Sequence, residues 1–402
     1  LVPEVALPKL TAQQLKEHNQ QLVLNAIYSG EATSRVAIAR ATSLTRPTVS
    51  QIVAELLELG LVYEAGPGES SGGKPPTLLN FTDDAFQIIA LHLGGRLTVG
   101  VVTDLRGRIT TRASQPINRR DSDSIIGGLC AVLEELRRET TRPLLGIGIS
   151  APGLVDHHTG VVRYSTHLNW HDIPVVERLA ERCAGDVPIY LENDTNLAAL
   201  GERVFGVGDG VDNLVIVMVG SRGVGAGLIV NGEIYHGSIG GAGEIGHSPV
   251  AGNSVACMCG RRGCLEAVSS GWALIGRASR AGLDYPGSHT RLGSPNGFTI
   301  DDLSAAVAVG EPAAEALARE AGHYLGLAVA TLISTLNPQR VIIGGSVAAL
   351  GKPLFDSLQC TVSEHTLGLL AEATEIFPAS LGNDAYTLGA VAQVLGNELG
   401  VV

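Results

Sequence analysis

An α/β fold is predicted for most of this chain, preceded by a small helical module. Three observations carry that expectation. The first eighty residues hold three short helical patterns followed by a hairpin pattern. From residue 81 onward, strand-like and helical runs alternate and end on glycine-rich turns, where open α/β sheets bind ligands. A compact group of cysteines and a histidine then interrupts the second half, in GEIGHSPV and ACMCGRRGCLE.

The bulk composition sets the frame. The chain has 402 residues, 45% apolar and 17% charged, enough for two or three domains with full cores and too apolar for disorder. No apolar run reaches the roughly 18 to 20 residues of a membrane span. The longest candidate, Tyr324 to Leu336, reads as a buried helix, so no membrane partner is expected. No signal peptide is visible. Six cysteines are too few for a disulfide scaffold of this size. With three of them clustered, and Cys130, Cys183 and Cys360 expected as scattered buried thiols, a reducing, cytoplasmic setting is predicted. The net charge of −12 argues against general nucleic-acid affinity but leaves room for one local DNA-binding face.

Taken in order, Lys16 to Tyr28 is the first helix, stopped at Ser29-Gly30. Ser34 to Ala41 is the second, and Thr42-Ser43-Leu44 a tight break. Thr45 is placed to cap a third helix with Pro47 in its first turn, where a missing N–H costs little. Val49, Ile52, Val53, Leu56 and Leu57 give that helix one apolar face. Arg46, Thr48, Ser50 and Gln51 lie at its start on the other side. This is the layout of a helix-turn-helix whose second helix presents polar side chains to base edges in the major groove. Leu61 to Tyr63 and Thr77 to Phe81 flank a Gly/Ser/Pro tip carrying Lys74, which reads as a wing against the phosphate backbone. Residues 1–75 hold six cations against seven glutamates, so few phosphate contacts per subunit are available and a homodimer or tetramer is needed for useful affinity.

Beyond residue 81 the predicted strands are Phe86 to Leu93, Leu97 to Thr103, Gly107 to Arg112, Leu144 to Ser150, Pro188 to Leu191, Asn213 to Val219, Ala226 to Val230 and Arg340 to Ile343. Helices fall near Ser122 to Arg138, Val175 to Cys183, Thr195 to Val204, Ala313 to Leu336 and Asp384 to Leu395. The strand-strand-strand-helix-strand opening and the later hairpin Leu214 to Val230 suggest two related lobes with a cleft between them.

Four segments can carry chemistry. SAPGLVD (Ser150 to Asp156) is a strand-to-loop turn, and LENDTNLAALGE (Leu191 to Glu202) puts Asp194 where a strand passes into a helix. GGAGEIGH carries Glu244 and His247, and the cysteine segment ends in Glu266. Asn193, Asp194, Glu244, His247 and Glu266 together suit a ring of hydroxyls, as in a sugar. Cys257, Cys259 and Cys264 with His247 supply three thiolates and one imidazole, the donor set of a closed structural zinc site, with Gly260 and Gly263 allowing the tight turns. Asp194 has the plainer reading of a helix cap, and Glu266 that of a surface charge.

These motifs, GEIGH, CMCGRRGCLE, LENDTNLAALGE and SAPGLVD, resemble the ROK family of repressors, open reading frames and sugar kinases, and the N-terminal winged helix resembles its repressor branch. The resemblance implies a two-lobed, actin-like ATPase fold with one structural Zn²⁺ and a sugar in the interlobe cleft. It implies a winged helix-turn-helix with its linker over 1–80, a first lobe over 81–205 plus 381–402, and a second lobe with the zinc site over 206–380. It assigns sugar contacts to Asn193, Asp194, Glu244, His247 and Glu266, gives His247 both a metal and a sugar role, and makes Asp194 the base if the chain is a kinase.

The departures from the kinase pattern are specific. An Asp-x-Gly-Gly-Thr loop is replaced by His92-Leu93-Gly94-Gly95-Arg96, and a Gly-Thr-Gly-x-Gly loop by Ser221-Arg222-Gly223-Val224-Gly225. Phosphoryl transfer depends on positioning and charge stabilisation around Mg²⁺, so no catalytic residue is expected. The predicted function is a sugar-responsive transcriptional repressor with operator DNA and a monosaccharide such as glucose, xylose or N-acetylglucosamine as partners. The alternative is a glucokinase-like enzyme using Asp194. Loop details near Trp170 and Gly240 are expected to tune sugar choice, and Gly72 to Pro76 to form the hinge.

Overall fold

In the computed structural model, which describes residues 11–69, 75–118, 121–280 and 298–402, the first helix α1 (Ala12–Tyr28) begins a turn earlier than its apolar positions suggest. Thr11 and Gln14 form a reciprocal capping box that extends it. Ser34 caps α2 (Arg35–Thr42), which ends on Ser43 in the left-handed region at φ 59°. Thr45 caps α3 (Arg46–Glu58) by accepting from Thr48 N, and Val49, Ile52, Val53 and Leu56 are buried along one face. The wing is an antiparallel pair, β1 (Val62–Pro67) and β2 (Thr77–Phe81). Lys74 lies outside the described residues. Most of the expected hinge, residues 72–74, likewise lies outside the described residues, in the stretch of sequence between β1 and β2.

The first lobe opens with a meander, β3 (Gln87–Leu93), β4 (Leu97–Thr103) and β5 (Ile109–Pro116), the last shifted later than predicted. There follow α4 (Ser122–Glu139), β6 (Leu144–Ala151), and an unpredicted small sheet of β7 (Leu154–Asp156), β8 (Val161–Ser165) and β9 (Trp170–Pro174). The expected helix over Val175 to Cys183 is α5 (Val175–Leu179) continued as a π-helical turn, Ala180–Ala184. β10 (Ile189–Asn193) and α6 (Asp194–Phe205) close the lobe. The second lobe holds β11 (Leu214–Val219), β12 (Val224–Val230), β13 (Glu233–Ile234), α7 (Glu266–Ser269), α8 (Gly271–Arg280), α9 (Ile300–Ala308) and α10 (Pro312–Leu336). It continues with β14 (Arg340–Gly344), α11 (Lys352–His365), α12 (Gly368–Ala373) and β15 (Glu375–Pro378) before α13 (Ala385–Leu399).

Two five-stranded sheets repeat one topology. The first runs β10-β6-β3-β4-β5 and the second β13-β12-β11-β14-β15. In each, an antiparallel meander is extended by two parallel strands beside its first strand. The two lobes read from the sequence are therefore copies of one plan. Among the described residues no helix is long and apolar enough to cross a membrane, and Tyr324 to Leu336 is the C-terminal half of α10.

Helices α6 and α13 form the layer between the sheets. Ala198, Ala199 and Ala385 pack on Leu214, Ile216 and Ile342 of the second sheet, while Leu197, Ala390, Val391 and Val394 join the core of the first. The helices approach so closely that a Cβ on Gly389 would sit 1.7 Å from the Leu197 carbonyl oxygen, and α6 lies so close to β12 that one on Gly227 would sit 2.3 Å from the Thr195 carbonyl oxygen.

The winged helix shares that first core. Val23, Ile27, Val53, Leu56, Leu79 and Phe81 are continuous with Ile88, Ala90 and Val101 of the first sheet and Leu395 of α13. Arg106 pins the junction: Nε donates to Asp83 Oδ1 at 2.9 Å and a terminal nitrogen to the Tyr28 carbonyl at 2.8 Å. Its guanidinium also lies 4.0 Å from the Tyr28 ring centroid. The far end of α13 meets α1 where Asn25 Nδ2 donates to the Gly400 carbonyl.

Two cysteine expectations are corrected. Cys130 is buried, but Cys360 is exposed on α11, because its turn of that helix faces solvent. Cys183 is half-buried and not isolated, since the π-helical turn sets its sulfur 2.7 Å from that of Cys130.

Gly389→Ala has no free volume to enter against a backbone carbonyl, so it is expected to cost about 1–3 kcal/mol or more. A urea unfolding midpoint well below wild type, with loss of cooperativity between lobes, is the expected reading.

Candidate functional site

A cavity of about 220 Å³ lies between the lobes, lined by Asn193, Asp194, Glu244, His247 and Glu266 among others. The five residues predicted from three separate segments thus meet in one place. The helix start of α6 supplies the floor. Asn193 is its cap, with Oδ1 accepting from Thr195 N at 2.8 Å and Asn196 N at 3.0 Å, and Nδ2 donating to the Gly153 carbonyl at 2.9 Å. Asn193 therefore fixes the Ser150 to Asp156 turn as well as the helix. Asp194 is the first helical residue, not the cap, and its Oδ1 accepts from Thr195 N at 2.8 Å. Burial pushes its carboxyl up to about 7, against the opposing hydrogen bonds from Thr195.

The opposite wall is built on the short turn Ile245–His247 and on α7. Glu266 is buried, so it is not the surface charge of the plainer reading. Burial raises the carboxyls of Glu244 and Glu266, and the adjacent His247 opposes that rise in both. Behind this wall, His247 Nδ1 lies 3.8 Å from Cys257 Sγ, and Cys259 Sγ lies 3.7 Å from Cys264 Sγ. All four donor atoms fall within 4.8 Å of one another. Zn–S bonds of about 2.3 Å in a tetrahedron require sulfurs roughly 3.8 Å apart, so the donor set fits a four-coordinate metal. Burial pushes the Cys257 thiol up to about 12, and a bound cation is what would hold such a thiol as thiolate. None of the three cysteines lines the cleft.

The two degenerate loops face each other at one end of this cavity, where the Cβ position of Gly95 lies 4.0 Å from Arg222 Cδ. His92 stands where the kinase aspartate is expected. Its Nδ1 is 3.0 Å from Ser150 Oγ, and its ring stacks on Tyr386 at 4.4 Å and 6°. Burial lowers its pKa to about 4, so the ring is neutral and supplies no counter-charge for Mg²⁺. Arg96 and Arg222 are exposed.

Two functional positions were missed. Tyr386 comes from the first turn of α13 into the cleft, and nothing in the local sequence marks it. Glu202 is buried and accepts from Val207 N, Ser380 N, Ser380 Oγ and Leu381 N, which ties α6 to the segment entering α13. Its position eight residues after Asp194 in a short polar motif was the available signal. Trp170 does not line the cleft; it is 2% exposed in the first-lobe core, and His167 and Leu168 take the expected place. Gly240 packs on the Val155 carbonyl instead of facing the cavity.

On the winged helix, Arg46, Ser50 and Gln51 are exposed at the start of α3, and Thr48 is half-buried with its hydroxyl against that of Thr45.

Residues 88–397 match the ROK family model. The chain belongs to the ROK family. Residues 11–69 match the MarR family model, which is a winged helix. The chain is 30% identical over 393 residues to the xylose repressor of Bacillus subtilis, covering 96% of this chain and 97% of that one. It is 33% identical over 315 residues to a glucokinase of Halalkalibacterium halodurans, covering 75% of this chain and 92% of the enzyme. The crystal structure of a ROK family transcriptional regulator, a homologue of the Escherichia coli MLC protein, superposes with a TM-score of 0.84 at 26% identity, over 96% of this chain and 98% of that one. The ROK chain described here thus has an actin-like α/β body and an N-terminal winged helix.

Asp194 gives a signed pH prediction. A carboxyl whose folded pKa is raised above 3.8 to about 7 binds protons more tightly folded than unfolded. Stability therefore falls as pH rises from about 4 to about 7. Asp194→Asn removes this penalty, so its gain in melting temperature over wild type is expected to be larger at pH 8 than at pH 5, worth at most about 4 kcal/mol.

Proposed function

We propose that this ROK protein is a sugar-responsive transcriptional repressor that binds operator DNA as a homodimer or tetramer in the cytoplasm. The observation that carries this reading is the shared hydrophobic core of the winged helix and the first lobe. A DNA-binding module welded to one side of a ligand cleft cannot ignore how that cleft is arranged. The full-length similarity to a xylose repressor and to a ROK transcriptional regulator supports it. We take residues 1–80 as the winged helix, 81–205 with 381–402 as the first lobe, and 206–380 as the second.

In this reading a monosaccharide (xylose, glucose and N-acetylglucosamine are the candidates) sits among Asn193, Asp194, Glu244, His247 and Glu266. One Zn²⁺ per chain, held by His247, Cys257, Cys259 and Cys264, braces the wall carrying the last three. The metal has no open position for catalysis, so its role is structural. A sugar that binds the closed lobes better than the open ones shifts the population toward closure. Because α6 and α13 are locked together and α13 ends against α1, that closure moves the winged helix. Arg46, Ser50 and Gln51 of α3 read base edges, with Thr48 beside them.

The second reading, a sugar kinase, is favoured by Asp194, whose pKa near 7 suits a general base, and by the glucokinase similarity. A neutral His92 and the arginines in both loops count against it.

Fluorescence anisotropy on candidate operators, with each sugar added in turn, is expected to show weakened binding with one of them; indifference to every sugar would sink the induction mechanism. Arg46→Ala is expected to weaken operator binding by roughly 1–3 kcal/mol. ADP release with a sugar panel, abolished in Asp194→Asn, would establish the kinase instead. Elemental analysis is expected to find one zinc per chain, and Cys259→Ser to weaken sugar binding although no cysteine lines the cleft.

A further inference from the structure

Beside the cleft, and outside its lining, a second group of metal-type donors joins the lobes. His157 lies on the turn between β7 and β8, and Glu192 is the buried penultimate residue of β10, both in the first lobe. His236 comes from the second lobe, on the segment that leaves β13. Its Nε2 is 2.6 Å from Glu192 Oε2. The His157 and His236 rings stack at 3.9 Å and 17°.

We propose that His157, Glu192 and His236 form a transition-metal site for a borderline cation such as Zn²⁺, Co²⁺ or Ni²⁺, bridging the two lobes. Two imidazoles and one carboxylate are a recurrent donor set for such ions, and the three donor atoms lie within 4.8 Å of one another. The carboxylate is already oriented. Its other oxygen, Oε1, accepts from Asn193 N at 2.7 Å and Asn196 Nδ2 at 3.0 Å, which leaves Oε2 aimed at the imidazoles. Outer hydrogen bonds of that kind fix a ligand for its metal. Among the described residues His157 has ring contacts with His158 and His236 but no hydrogen-bond partner, so its lone pair is unspent.

The plainer alternative is a hydrogen-bonded His236–Glu192 pair with a second ring packed on it. The two differ in what lies between His236 Nε2 and Glu192 Oε2: a proton across 2.6 Å in one case, and in the other a cation that displaces that proton and widens the pair to roughly 3.3 Å. Stacked imidazoles direct their lone pairs side by side, so both rings must turn to converge on an ion. Both stand on half-buried turn segments, where such a rotation meets little packing. A bound cation would then strap the first lobe to the second at a point separate from the cysteine cluster. This inference does not rest on the repressor reading or on the zinc assignment.

The test is a Co²⁺ titration of the full-length protein followed by absorption. Cobalt at the cysteines gives an intense near-ultraviolet thiolate charge-transfer band, while cobalt at nitrogen and oxygen donors gives only weak visible bands. Wild type is expected to take up one Co²⁺ per chain with the weak visible signature, in addition to any cobalt that gives the thiolate band. His157→Phe keeps the ring stack and removes the donor, and His236→Gln removes the other nitrogen. Each is expected to weaken this uptake at least about tenfold, with the melting temperature and any thiolate band unchanged. Uptake should also weaken as pH falls and protons compete for the imidazoles. Wild type that shows no cobalt beyond the thiolate band, or His157→Phe that binds as wild type does, would overturn the proposal.

Discussion

The backbone-to-backbone approach of α6 and α13 is the constraint on which the rest of the molecule depends. With no side chain on Gly389, the Leu197 carbonyl seats directly against α13, and the two helices behave as one slab between two sheets of identical topology. One end of the slab carries Asp194 and Tyr386 in the cleft. Its other end carries Gly400 against α1 of the winged helix. Glu202 reinforces it, since all its hydrogen bonds run to the segments flanking the second lobe. A buried carboxylate satisfied by four donors is costly to disturb, so motion passes through the slab and is not absorbed within it.

Much of this was legible in the sequence because the signals were local. The third helix has a cap, a proline and an apolar stripe, and all three act within one turn. The metal-type cluster depends on three cysteines in eight residues and one histidine nearby. The sugar-type residues could be grouped because each ends a strand or opens a helix, which is where a sheet exposes its ligand edge. What escaped depends on packing between distant segments. Tyr386 is a first-turn helical residue like many others until His92, almost three hundred residues earlier, comes to lie under its ring. The loop near Trp170 reaches the cleft through His167 and Leu168, while the larger ring of Trp170 itself is buried by its neighbours. The Gly72 to Pro76 segment looked like a linker because glycine, serine and proline mark wing tips and linkers alike.

The cleft differs from the kinase pattern in its loops while the strands that carry them are in place. The turn that would hold a metal-binding aspartate keeps its strand, its glycines and its place against the opposite loop, but presents a neutral imidazole hydrogen-bonded to Ser150. The opposite side of the cleft holds carboxyls raised by burial, Asp194 to about 7 and Glu266 upward from its ordinary value. A carboxyl such as Asp194, protonated part of the time near pH 7, both donates to and accepts from hydroxyls, which suits recognition as well as it suits chemistry.

The core shared by the winged helix and the first lobe bears on how such proteins can be recombined. A chimaera cut at residue 80 would divide Val53, Leu56 and Leu79 from Phe81, Ile88 and Val391, and leave two apolar faces open to water. The winged helix is therefore a poor unit of exchange. The core between α6 and the second sheet is a separate, smaller cluster, in which Ala198, Ala199 and Ala385 meet Leu214, Ile216 and Ile342. New specificities are more readily grafted by replacing the second lobe beneath an unchanged DNA-reading half.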